Sequence, residues 1–163
     1  PQAAMFPGAD DDAAARNNRS FAISVLSGFI TGAALWIFTD GMALGVAQND
    51  SVSAAVAGYG WILPVVMVIT HVMVNGMRFS ELVADSEDSP GVAWRARLFL
   101  MFALVLQIVV LGVAGFVMGG VYLNDHKDTA NSWTGISIFT SQMLLFISCW
   151  LQRVATLPKR EDF

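Results

Sequence analysis

Hydrophobic positions along this chain gather into four long runs, with the polar and charged positions confined to the stretches between them. A bilayer core about 30 Å thick needs about 20 mostly apolar helical residues at about 1.5 Å each, so each run can be measured against that length. The first covers 21–47 with Asp40 as its one charge, and the second covers 58–77. The third, 98–123, has no charge, and the fourth, 133–154, carries Arg153 at its end. Backbone hydrogen bonds must be satisfied inside lipid, and the runs are twice the length of a barrel strand, so they predict helices. The expected fold is an all-α integral membrane four-helix bundle in up-down order. A polar tail at 1–20, a loop at 78–97 and a tail at 155–163 complete the chain.

Aromatic residues prefer headgroup depth, and their positions bear on these limits. Tyr59 and Trp61 open the second run, Trp94 precedes the third, Tyr122 closes it, and Trp133 and Trp150 bracket the fourth. Lys and Arg bias a connection towards the cytosolic or matrix side. Eight of the nine basic residues lie in the two tails, the 78–97 loop and the end of the fourth run; only Lys127 lies in the other connections. Both termini are therefore expected on the cytosolic or matrix side. The start, "PQAAMFPGADDDAAARNNR", has neither a secretory pattern nor an ordinary mitochondrial presequence. The first run is then expected to serve as its own insertion signal.

Composition sharpens the picture. Charged residues make up 13% of the chain and hydrophobic ones 55%, against about 25% charged in a typical soluble domain. The net charge of -4 offers no basic surface, which argues against nucleic acid as a partner. Lone Cys149 excludes an intrachain disulfide. Glycosylation triplets occur at Asn18 and Asn49, the first on the wrong side and the second beside the bilayer.

Small residues let membrane helices approach closely. On a helical wheel Gly28, Gly32 and Thr39 fall within about 40°, and Gly41 with Gly45 forms another patch. Gly112, Gly115 and Gly119 repeat the device in the third run, while Thr134, Ser137, Ser141 and Ser148 share a face of about 60° in the fourth. These stripes predict a tight core and no aqueous pore. Pro64, seven residues into the second run, predicts a kink there.

Polar residues inside a membrane are functional suspects, and here they are Asp40, His71, Gln107 and Gln142. Counted from the run ends, Asp40 and His71 lie about 10 Å apart along the membrane normal, too far for a direct acid and base pair. Asp40 reads as an anchor near the outer boundary, and the glutamines as interhelical glue. The chain lacks metal-ligand spacing, a nucleophile turn and a phosphate loop, so neither catalytic residue, metal nor cofactor is expected. His126 in "NDHKD" reads as a solvated turn. Within "RFSELVADSEDSPGVAWRAR", "FSELV" fits a short interfacial helix, and Ser86 and Ser89 sit among acids as candidate phosphorylation sites.

The order "RNNRSFAISVLSGFITGAALWIFTDG", "VMVNGMR", an acidic loop, "RARLFLMFALVLQ", "MGGVY" and "TGISIFTSQMLLF" resembles the transmembrane protein 50 family, which includes the fungal vacuolar protein sorting 68. The resemblance covers 17–152. It implies a four-helix membrane protein without enzymatic activity, working in endosome-to-vacuole traffic within a small membrane complex. The expected surroundings are thus membrane lipids, structural lipids among them, and other membrane-protein subunits of an endomembrane. An accessory subunit of a respiratory complex in the mitochondrial inner membrane is the alternative, and a small transporter a third. Both the "PQAAMFPGADDD" start and the "PKREDF" end are expected to lie against other chains.

Overall fold

The computed structural model describes residues 9–47, 59–77, 90–123 and 129–156, which are helical apart from turns. Four α-helices follow in order: α1 (Ala9–Ala47), α2 (Ile62–Gly76), α3 (Pro90–Phe116) and α4 (Thr129–Ala155). A π-helical segment, Val117–Tyr122, continues α3. The expectations for residues 1–8, Asn49, the acidic loop with Ser86 and Ser89, His126 and the end at 157–163 lie outside the described residues.

Among the described residues, three segments are long and apolar enough to cross a membrane: Asn17–Ala47, Ala93–Tyr122 and Ser132–Ala155. The predicted second span is different. Its helix has 15 residues, about 22 Å at 1.5 Å each, and does not by itself match a core of about 30 Å. The kink predicted at Pro64 is also corrected. Residues 60 and 61 form a turn, the helix starts at Ile62, and Pro64 therefore sits in its first turn. There a missing N–H breaks no helical bond. In contrast, α1 begins twelve residues before its predicted span. The extension is alanine-rich, and alanine is the strongest helix former.

α4 forms the centre of the bundle. Half of its membrane window is buried, against 17% for α1 and 22% for α3. It packs on all three other helices and on the π segment, whereas α1 rests chiefly on α4 and α2 lies against α3 and α4. One residue from each helix, Ala34, Met67, Val110 and Leu145, meets in a central cluster. A second cluster joins Phe38, Met42, Ala114 and Ile138, and a third joins Val74, Ala103 and Cys149. Phe38 also meets Trp61 edge to face, with ring centroids 5.0 Å apart, where α1 passes the start of α2.

The remaining apolar bulk faces outward. Phe21, Phe29, Trp36 and Phe116 are each more than two-thirds exposed. A soluble fold would bury such side chains; a bilayer solvates them.

Tyr122 departs from its expected interfacial role. It is fully buried, and its ring lies in the space left by Gly135 of α4. A Cβ at Gly135 would stand 2.7 Å from Tyr122 Cβ and 2.8 Å from its ring. The π segment, one residue wider per turn than an α-helix, carries the tyrosine at this contact.

Candidate functional site

The polar chemistry of the molecule is concentrated on α4. Thr134, Ser137, Ser141, Gln142, Ser148 and Cys149 are all buried, although they belong to a span surrounded by apolar residues. In lipid, apolar side chains gain little by meeting one another, so close packing and interhelical hydrogen bonds hold helices together. α4 uses both, one in each half.

Near the Asp40 end, packing governs. Thr134 and Ser137 fit against Gly41 and Gly45 of α1. A Cβ at Gly41 would overlap Ser137 Oγ and lie 2.5 Å from Ser137 Cβ, while one at Gly45 would lie 3.0 Å from Thr134 Cγ2. Ser137 cannot easily retreat, because its Oγ donates to Thr134 O at 2.8 Å. Ser141 is similarly turned back on its own helix and donates to Ile138 O at 2.7 Å. Asp40 itself is exposed at the rim and accepts a hydrogen bond from Trp133 Nε1 at 3.1 Å. It anchors two helix ends; it does not face His71.

Near the other end, which carries Arg95, Arg97 and Arg153, hydroxyls clamp α1 to α4. Ser27 Oγ donates to Ser148 O at 2.9 Å, and Ser148 Oγ donates back to Ser27 O at 2.8 Å. Thr31 Oγ1 joins Ser148 Oγ at 2.6 Å. Each bond of this kind is worth about 0.6 kcal/mol in a membrane protein, and the reciprocal geometry adds register to the small gain.

The same stretch of α4 faces α2 and α3. Gln107 Nε2 lies 3.3 Å from Cys149 Sγ, and Asn75 Nδ2 lies 3.6 Å from it and 3.0 Å from His71 O. His71 Nε2 shares a 2.6 Å hydrogen bond with Gln152 Oε1. Arg153 Nη1 donates to Met77 O at 2.8 Å and so caps the end of α2. Gln142 is fully buried at another level, with Nε2 3.4 Å from Ser141 Oγ. The amide oxygens of Asn75, Gln107 and Gln142 are buried without a protein partner. Together these side chains tie helices. Among the described residues, no group of three His, Cys, Asp or Glu could hold a metal.

The predicted glycine stripes divide. Gly41 and Gly45 lie in the α1/α4 contact, and a Cβ at Gly115 would stand 3.6 Å from the Phe139 ring. Gly28, Gly32, Gly112 and Gly119 are on the outside, with nothing within 4 Å of where a Cβ would be. The intrachain role given to those four is corrected. α1 turns Ser27, Thr31, Ala34, Phe38, Gly41 and Gly45 towards α4, which rotates Gly28 and Gly32 away from the bundle. Gly135, the Ser27 and Thr31 hydroxyls, Asn75 and Arg153 were not singled out as contacts. Each is unremarkable in isolation and acquires its role from a partner distant in sequence.

The family profile of the uncharacterised protein family UPF0220 matches residues 9–159, which includes every helix just described. The chain belongs to this family. A similar relative is the transmembrane protein 50 homolog of Dictyostelium discoideum, 27% identical over 133 residues that cover 79% of this chain and 85% of the relative. No solved structure matches the chain. The three apolar helices together with this relative establish an integral membrane protein.

Proposed function

We propose that this chain is a non-enzymatic membrane scaffold, a subunit that gathers other membrane proteins during sorting between endosome and vacuole. The observation that supports it is the outward face of α1. Phe21, Val25, Gly28, Gly32, Leu35, Trp36 and Thr39 share one side of the helix, and all are exposed. The two glycines leave a notch along that side that none of the described residues fills. Small residues flanked by large ones are the surface on which another transmembrane helix can pack closely. The sorting role rests on the resemblance to the transmembrane protein 50 family and its vacuolar sorting member, and the polar seam along α4 supports a structural rather than a chemical use of the bundle.

The test is purification from native membranes in mild detergent, with mass spectrometry of the comigrating proteins. Trafficking proteins are expected, and replacing Gly28 and Gly32 by Leu should release them while leaving the bundle folded, since that space is empty among the described residues. Respiratory subunits would move the reading to an accessory role in the mitochondrial inner membrane. Retention of every partner by the double variant would overturn the role of the α1 face.

A further inference from the structure

A cleft of about 600 Å³ lies between the last turns of α2 and the first turns of α3. Its volume is that of an ordinary small-molecule site. Val72, Met73, Gly76 and Phe99 give it apolar walls, and Gly76 leaves its floor open, with nothing within 4 Å of a Cβ position. Arg95 also lines it and is the one charged residue among the described residues of its wall. Its neighbour Trp94 is 62% exposed, as a ring at headgroup depth would be. The cleft therefore offers a hydrocarbon surface below and a guanidinium above.

A second cation reinforces the sign of this site. The carbonyls at a helix C-terminus carry partial negative charge and would repel an anion near the end of α2. Arg153 donates to Met77 O, the carbonyl at that end, and Met77 is a wall of the cleft. The repulsion is thereby covered by a fixed positive group, and Arg95 is left to meet the incoming charge. Guanidinium binds phosphate through paired hydrogen bonds, and basic pockets between transmembrane helices on the cytosolic or matrix side hold anionic head groups.

We propose that this cleft is a binding site for one anionic phospholipid, its phosphate on Arg95 and an acyl chain along Val72, Met73, Gly76 and Phe99. The lipid would occupy the leaflet on the basic side of the molecule and seal the gap where α2 and α3 part. Its recognition is local, since the chain as a whole is acidic, with a net charge of -4.

The full chain, purified in mild detergent, is equilibrated with mixed micelles holding equal amounts of phosphatidylglycerol and phosphatidylcholine with the same acyl chains. Bound lipid is then read by native mass spectrometry. One lipid per chain is expected, with phosphatidylglycerol favoured about fivefold, the ratio that one basic side chain confers near an anionic headgroup. Arg95→Gln should bring the ratio close to one, and Arg95→Lys should keep a preference for the anionic lipid. Gly76→Leu should displace both lipids, because it fills the floor. Arg95 is exposed, so its variants leave the fold intact and keep the test decisive even if Gly76→Leu misfolds. Equal binding of the two lipids by the unaltered chain, or an unchanged preference in Arg95→Gln, overturns the proposal.

Discussion

At the residue scale, the contact of Gly41 with Ser137 shows how little space separates α1 from α4. Overpacking a close contact costs about 1–3 kcal/mol, so Gly41→Ala should lower the thermal stability of the purified protein by that amount. The partner explains how to restore it. Ser137→Ala should not rescue the loss, because Ser137 Cβ would still lie 2.5 Å from the new methyl group. Ser137→Gly should, and a thermal melt of the two double variants distinguishes them. The sequence displayed Gly41 and Gly45 as a small patch, and it displayed Gly28 and Gly32 just as clearly. What it could not supply was the rotation of α1, which is set by the hydroxyls of Ser27 and Thr31 engaging Ser148 more than a hundred residues away.

At the scale of elements, long apolar runs made the first, third and fourth helices legible, because length against bilayer thickness is a property of one segment alone. Helix ends were less so. The 58–77 run suggested a full span with a kink at Pro64, but the turn at residues 60 and 61 places proline where α2 begins. The π segment was invisible for the same reason: its width serves Tyr122, and Tyr122 needs Gly135 on another helix. Gly135→Ala should therefore act on α3 as much as on α4. It should push the tyrosine ring out of its notch, destabilise the fold by about 1–3 kcal/mol and raise the fluorescence quenching of Tyr122 in a variant that lacks Tyr59 and all tryptophans. Unaltered quenching and stability would show that the notch is not needed.

For the whole molecule, the distribution of its basic residues predicts an orientation. Both termini should be on the cytosolic or matrix side, since eight of nine Lys and Arg lie in the connections on that side. Epitope tags at the two ends, tested by protease protection in sealed vesicles, should be digested together from that face, and protection of either one would refute the arrangement. The proposed lipid site belongs to the same face, because Arg95 and Arg153 lie at the same end of the bundle as the start of α3 and the end of α4. Bundle class was readable from the sequence. The choice of α4 as the hub was not, since hydropathy ranks the uncharged third run as the more apolar segment while the buried hydroxyls and amides favour the fourth.

That choice has a consequence for biosynthesis. Chains emerge from the ribosome N-terminus first, at about 5–20 residues per second, so the helix that joins the other three is made after all of them. Until it arrives, α1 has no mate for Ser27 and Thr31, and α2 and α3 hold Asn75 and Gln107 against bare lipid. A nascent molecule must wait unassembled for α4, and any truncation before Ser132 should leave α1, α2 and α3 without their shared partner, for the cell's degradation machinery to remove.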